Sequence, residues 1–248
     1  MVRTLFLDIE TSPVTAYVWG LWDQNVGLSQ IIDTSKMLCW SAKWNGSDEV
    51  LYGGLNKHTH RDMVRNLYEL IDAADVVCHY NGNKFDIPVT NKEFVLQGFP
   101  QPSPYKNLDL LRVVKSKFRF PSNKLDFVAQ QLGLGSKQPT NFKLWVDCMN
   151  GDPTAWAQME EYNKHDVVLL ERLYERLHQW IKHPINHSVF GVNSSVCPNC
   201  GSSAFVKRGF AVTATCRYQR FRCTSCDHWF RDTLNVGPKA GNKYTGVS

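Results

Sequence analysis

Near the start of the chain Leu5, Leu7 and Ile9 alternate with Phe6, Asp8 and Glu10, the two-residue period of a β-strand. Apolar Phe6 shares a face with the two acids, so the pattern predicts a strand buried on both sides, with Asp8 and Glu10 at the edge of a core. MLCWSAKW (37–44) and EVLYGG (49–54) read as strands around the turn residues Asn45, Gly46, Ser47 and Asp48. Thr59 followed by Asp62 has the form of a capping box. It opens a helix to about Ala74 with Met63, Leu67, Leu70 and Ile71 on one face. ADVVCHYN (74–81) is a short apolar strand, and a second helix runs from about Asp86, with Pro88 in its first turn and Gly98 beyond its end. NLDLL (107–111) reads as another strand, followed by the basic run RVVKSKFRF. SNKLDFVAQQLGLG (122–135) reads as a helix capped by Ser122 and stopped by Gly133. Asp152-Pro153 starts a further helical pattern that reaches about Ile181, with room for a break. Early strands followed by alternating helices and strands predict an α/β domain with a mixed sheet.

Length changes this picture little: 248 residues hold one large domain, or a medium one with a small appendage. No apolar run approaches the ~20 residues of a membrane span, and MVRTLFLDIE lacks the apolar core of a signal peptide. The expected location is the cytoplasm, where the eight cysteines are thiols or metal ligands rather than disulfides. Charge is uneven. Residues 1–190 carry 20 Lys+Arg against 21 Asp+Glu, a net of −1, and residues 191–248 carry 8 against 2, a net of +6. A neutral body with a basic tail points to a polyanionic partner, most simply nucleic acid; the same charge would also serve only to keep the tail soluble.

Burying unpaired carboxylates is expensive, so Asp8 and Glu10 call for a cation, although acids leaving a strand for a turn give the same string. Two further acids fall where they can join them. In HYNGNKFDIP, Asn81 and Gly82 make a turn and Asp86 opens the following helix, either as its cap or as a partner of Asp8 and Glu10. In EYNKHDVVLLERLYERLHQWI, Tyr162 and Asp166 are four apart and share a face. That stripe continues through Leu169 or Leu170, Leu173, Leu177 and Trp180, the core-facing side, and an acid at its head needs a partner.

The strings LDIET, N-x3-FD and Y-x3-D, on strand, strand-to-helix turn and helix, resemble the DnaQ-like 3′–5′ exonucleases of the RNase H-like fold. They match the branch with tyrosine in the last motif, similar to the proofreading domains of family-B DNA polymerases, over roughly residues 3–182. KSKFRFPSNKLDFVAQQLGLG is also similar to those domains. The other branch would have histidine where Glu161 stands, and His165 fits neither pattern. The resemblance implies an RNase H-like mixed sheet flanked by helices, in which Asp8, Glu10, Asp86 and Asp166 hold two Mg²⁺ or Mn²⁺ ions. Tyr162 would orient the water and the scissile phosphate. The implied substrate is DNA with a free 3′ end, and the implied partners are nucleic acid and a DNA polymerase or other replication or repair protein. The same site used on RNA, or as a structure-specific endonuclease, stays open, as does a non-cutting adaptor that binds nucleic acid or a polymerase. Asn81 either helps hold the substrate end or simply makes its turn. Arg119 and Lys124, near Phe118 and Phe120, either track a nucleic-acid backbone or form a solvated face.

Past Trp180 the pattern changes. Residues 184–195 read as a linker after a nuclease domain at 1–183, residues 196–235 as a zinc module, and residues 236–248 as a disordered tail. CPNCG (197–201) and CTSC (223–226) are Cys-x2-Cys knuckles 22 residues apart, close to the zinc-ribbon template. Cys197, Cys200, Cys223 and Cys226 would close a tetrahedral site around one structural Zn²⁺. Two disulfides are disfavoured by the compartment; Cys216 lies inside the interval at no ligand spacing and His228 follows the second knuckle, so both are read as non-ligands. The segment is too short for a core of its own, so the metal should fold it. Arg217, Arg220 and other cations lie among aromatic residues, a composition that suits nucleic acid or protein docking. A small stand-alone nuclease of this kind fits a bacterium or a phage-infected cell.

Overall fold

The computed structural model describes residues 2–182, 185–189 and 195–237. The chain folds as two units, one spanning Arg3–Tyr174 and the other beginning at Glu175. The strands and helices of the first are, in order, β1 (Thr4–Thr11), β2 (Thr15–Ala16), β3 (Ile31–Asp33), β4 (Met37–Trp44), β5 (Val50–Gly54), α1 (His60–Asp72), β6 (Val76–His79), α2 (Asp86–Leu96), β7 (Lys106–Asp109), α3 (Leu110–Lys117), α4 (Leu125–Gln131) and α5 (Phe142–Met149). They end in α6 (Pro153–Leu177), which runs across the boundary.

The central sheet has the order β5-β4-β1-β6-β7. β4 pairs antiparallel with β1 and β5, while β1 and β6, and β6 and β7, pair parallel. This is the mixed, helix-flanked sheet expected. Leu5, Phe6 and Leu7 are fully buried and Ile9 nearly so, each worth roughly 1.5–3 kcal/mol. They anchor the strand that carries the two acids. Leu5, Leu7 and Ile9 pack with Met63, Leu67 and Ile71 of α1 and with Phe94 of α2. On the opposite face Phe6 meets Tyr174 of α6 edge-on at 5.2 Å. Cys39 lies there with Leu144 of α5 and with Met159 and Tyr162 of α6. Thr59 caps α1 through a bond from the Asp62 amide at 3.1 Å.

Several elements differ from expectation. The apolar run at 108–111 is split: Asp109 ends β7 and caps α3 by accepting from the Leu111 amide at 3.0 Å, so the basic run after it is helical. α4 begins three residues later than its predicted cap, with Lys124 at the N-cap and the Ser122 hydroxyl accepting from the Lys124 amide. α5 has no predicted counterpart, because only Leu144 and Cys148 of its eight residues are buried and the apolar period is short. α6 is unbroken to Leu177. There it gives way to a 3-10 turn over His178–Trp180, which turns Trp180 off the apolar stripe and leaves it half exposed. Among the described residues no helix is long and apolar enough to cross a membrane.

In the second unit β8 (Phe205–Val212), β9 (Arg217–Cys223) and β10 (Trp229–Asn235) form an antiparallel sheet in the order β10-β9-β8. Phe205, Phe221 and Phe230 touch one another with ring centroids 5.3–5.4 Å apart. Of the predicted linker, the structure describes residues 185–189 and 195. His187–Val189 make a 3-10 turn, and the His187 amide donates to the Pro198 carbonyl at 2.8 Å. The predicted tail lies beyond the described residues apart from Val236 and Gly237.

Candidate active site

Strand β1 delivers Asp8 and Glu10 to the α6 face of the sheet, both partly exposed, while Phe6 keeps the same face dry one position earlier. One carboxylate oxygen from each of Asp8, Glu10 and Asp166 lies within 4.8 Å of the others. Asp166 is buried near the middle of α6, one turn after Tyr162. Asp86 is also buried but is not part of that triplet. It opens α2 without capping it. Its Oδ1 instead accepts from the Ile9 amide at 3.2 Å, which ties the start of the helix to the acid-bearing strand.

The turn that places Asp86 is specified by backbone geometry. Asn81 adopts the left-handed conformation, φ 65°, and its amide donates to Asp109 Oδ1 at 2.9 Å. The Gly82 amide donates to His79 Nδ1 at 3.0 Å, and a Cβ on Gly82 would run into the His79 ring. This imidazole is fully buried, and burial holds its pKa below the usual value, so it accepts as a neutral ring.

Electrostatically the triplet is unfavourable by itself. Burial pushes the Asp8 carboxyl well above the ordinary range, and Asp86, Asp166 and Glu10 add to the rise. Burial raises Glu10 to about 7 despite the counteracting Lys137, and Asp86 also to about 7. Asp166 is raised by burial even though Lys137 and Tyr162 bond to it. Its Oδ1 is buried with no hydrogen-bond partner. Hard oxygen donors with excess negative charge and one orphaned oxygen fit divalent cations of the Mg²⁺ or Mn²⁺ class.

Three neighbours were not foreseen from the sequence. Lys137, in the loop before α5, donates from Nζ to Asp166 Oδ2 at 2.6 Å and to the Tyr162 hydroxyl at 3.3 Å. Burial alone would lower this ammonium, but Asp166 and Asp8 hold it above its ordinary pKa. Trp145 of α5 donates from Nε1 to Glu10 Oε2 at 3.2 Å and meets Tyr162 edge-on at 6.0 Å. Asn163, fully buried, donates from Nδ2 to Asp8 Oδ2 at 2.7 Å. Only Asn163 left a local trace, as an amide beside Tyr162 in the last motif. Next to Glu10 opens a cleft of about 420 Å³, walled chiefly by Pro13, Phe142 and Trp145 with Thr11, Ser12 and Asn141.

The family model of the RNase H superfamily matches residues 5–178. The chain belongs to the RNase H superfamily. Among solved structures, a family B DNA polymerase from the hyperthermophilic archaeon Pyrobaculum calidifontis shares the fold over 71% of this chain, at a TM-score of 0.51 and 20% sequence identity. The matched part is 24% of the polymerase, so the chain spans about a quarter of that protein's length. No curated protein matches the chain.

The four predicted cysteines lie beyond the RNase H superfamily match. Cys197, Cys200, Cys223 and Cys226 present their sulfurs within 4.8 Å of one another. Cys197 and Cys226 are 3.8 Å apart and Cys200 and Cys223 3.7 Å. A tetrahedron with Zn–S bonds of about 2.3 Å has edges of about 3.8 Å, whereas disulfide sulfurs lie about 2.05 Å apart. The donor set therefore fits Zn²⁺. The group does not include Cys216 or His228. Of the other predicted residues, Arg119, Lys124, Arg217 and Arg220 are exposed. Lys124 is the N-cap residue of α4, and Arg217 and Arg220 belong to β9.

Proposed function

We propose that this RNase H superfamily chain is a metal-dependent 3′–5′ exonuclease that hydrolyses DNA from a free 3′ end, single-stranded or frayed. We propose further that its four-cysteine module holds one structural Zn²⁺ and aids binding of nucleic acid or of a partner protein. The observation that carries the reading is the convergence of Asp8, Glu10 and Asp166, with Asp86 tied to the same strand and Tyr162 one turn from Asp166. DNA is favoured because one solved structure that shares the fold is that of a DNA polymerase.

When bound, two Mg²⁺ or Mn²⁺ ions would lower the pKa of an attacking water and stabilise the leaving 3′ oxygen. Asp8, Glu10, Asp86 and Asp166 would hold them. Burial keeps the Tyr162 phenol well above its ordinary pKa, so it stays protonated and orients groups by hydrogen bonding rather than removing a proton. Trp145 fixes Glu10, Asn163 fixes Asp8, and the cleft beside Glu10 receives the terminal base against Trp145 and Phe142.

The test uses a 5′-labelled oligonucleotide as DNA, RNA and 3′-blocked DNA, with Mg²⁺, Mn²⁺ or EDTA. A ladder of one-nucleotide steps from an open 3′ end of DNA supports the reading. Faster degradation of RNA moves the substrate to RNA, and internal cutting of the 3′-blocked strand makes the chain an endonuclease. Binding without metal-dependent products would leave an adaptor. Asp8→Ala should reduce cleavage on the order of a thousandfold, the loss of several kcal/mol of charge stabilisation, while the protein stays folded by circular dichroism.

A further inference from the structure

The β10-β9-β8 sheet has two chemically different faces. Paired residues in an antiparallel sheet share a face and neighbours along a strand alternate. Phe221 pairs with Phe230 and with Lys207, and Phe205 pairs with Cys223. That side holds the three-phenylalanine cluster and one zinc-site cysteine, so it is the module's interior. Arg220 pairs with Arg231, and Arg222 pairs with Trp229 and Val206. That second side presents three guanidinium groups with Trp229 and, by alternation, Tyr218.

Like charges directly opposed across a strand pair are destabilising. Arg222 is relieved by Asp227 at 2.7 Å. Among the described residues, neither Arg220 nor Arg231 has a carboxylate within ion-pair distance. Each lies over a ring and donates to a backbone carbonyl: Arg220 is 5.1 Å from the Trp229 centroid with Nε 3.0 Å from the Arg208 carbonyl, and Arg231 is 3.8 Å from the Tyr218 centroid with Nη1 3.1 Å from the Asp232 carbonyl. Trp229 is itself 49% exposed. Two cations without a carboxylate partner, held on half-exposed Trp229 and partly buried Tyr218, form a surface that favours a chain of phosphates with stackable bases. The other exposed aromatic stretch, residues 14–32, with Trp19 and Trp22, contains no lysine or arginine and lacks this complementarity.

We propose that this face of the sheet binds single-stranded nucleic acid, with Arg220 and Arg231 taking phosphates and Trp229 stacking a base. The proposal deepens the nucleic-acid reading of the zinc module and is independent of whether the carboxylate site cuts. It also separates two residues that the sequence grouped together, because Arg217 lies on the interior side, over Phe210 at 4.6 Å.

The experiment is fluorescence anisotropy of a 5′-labelled dT20 strand with the full-length, zinc-loaded protein, in an Asp8→Ala background so that the probe is not consumed. Arg220→Ala with Arg231→Ala should weaken binding about tenfold at 0.1 M salt. The slope of log K against log salt should fall by about 1.4, the loss of two single-strand phosphate contacts. Trp229→Leu should weaken binding several-fold and Trp229→Phe should recover most of it. Lys207→Ala with Arg217→Ala, which removes the same charge from the other side, should change affinity less than twofold. One zinc per chain in each variant confirms that the module is folded. Equal losses from the two double variants would reduce the effect to net charge and overturn the proposal. Unchanged binding in the Arg220/Arg231 variant would do the same, as would displacement of dT20 by poly-glutamate as readily as by unlabelled dT20, which would make the face a generic polyanion or protein surface.

Discussion

Asn163 shows how one buried amide can govern a charged site. Its Nδ2 is 2.7 Å from Asp8 Oδ2 and its Oδ1 is 3.9 Å from Cys39 Sγ, so it fixes the Asp8 carboxylate from behind. Asn163→Ala removes the donor without removing an acid, and residues that orient metal ligands typically matter about 10–100-fold in metal affinity. The expected result is a half-saturating Mg²⁺ concentration raised by that factor, with the rate largely recovered at high Mn²⁺. A Mg²⁺ titration that superimposes on wild type would sink the idea. The acids themselves make a signed pH prediction. Glu10 and Asp86 rise from 4.5 and 3.8 to about 7 in the metal-free chain, through burial first. Between those values the folded form binds more protons than the unfolded one. The stability these groups contribute is therefore fully present below about pH 4 and is lost as pH rises through 7. Asp62, Asp72 and Asp126 are held low by hydrogen bonds, so their contribution has the opposite sign and is lost only as pH falls below 3.8. His79, His178, His187 and His228 are held below their ordinary pKa by burial and act the other way, favouring the fold as pH rises toward 6.5, so the acids are read by difference. In thermal melts from about pH 5 to 8, without Mg²⁺ or Mn²⁺ and with zinc retained, Glu10→Gln should gain Tm relative to wild type as pH rises, and equal pH dependences would contradict it.

At the level of elements, the Asn81-Gly82 turn decides where α2 begins and therefore where Asp86 points. Gly82→Ala places a methyl group against the buried His79 ring, an overpacking strain of about 1–3 kcal/mol. It should lower Tm by several degrees and reduce cleavage by displacing Asp86. Asn81→Gly keeps the left-handed backbone and should preserve both, unless the Asn81 side chain touches substrate, in which case KM rises at unchanged Tm. This turn was legible in the sequence because Asn-Gly after an apolar strand is a local signal, as were the alternation of β1 and the Thr59 cap of α1. The unforeseen parts depend on contacts made only in the folded chain. α5 is eight residues long and buries only Leu144 and Cys148, too short an apolar period to stand out in the sequence. Lys137 lies in a loop 29 residues before Asp166, and Trp145 is 135 residues from Glu10; nothing local links either to the acids it bonds. Resemblance to a family motif is what groups the four acids with Tyr162, positions that spacing alone leaves separate, and of these the structure brings Asp8, Glu10 and Asp166 together.

For the whole molecule, the division of labour between the two units is the consequence most open to test. The carboxylates, Tyr162 and Lys137 all belong to Arg3–Tyr174, whereas the four cysteines lie after Glu175. Among the described residues of β8, β9 and β10, three phenylalanines pack on one another, too little to fold a segment of this size without a metal. Cys223→Ser with Cys226→Ser removes two of the four thiolates proposed to hold zinc, so the β10-β9-β8 sheet should lose its order while the mixed sheet keeps its own core. Three outcomes are expected together. Zinc content falls to zero, kcat on a short single strand stays within about threefold because every proposed catalytic group is in the other unit, and KM rises about tenfold as the basic sheet is lost. Metal analysis, single-turnover cleavage and initial-rate kinetics read the three separately. A collapse of single-turnover cleavage at saturating enzyme would place zinc-module residues in the chemistry and end the division proposed here. An unchanged KM would remove the module from substrate binding and leave partner docking as its role.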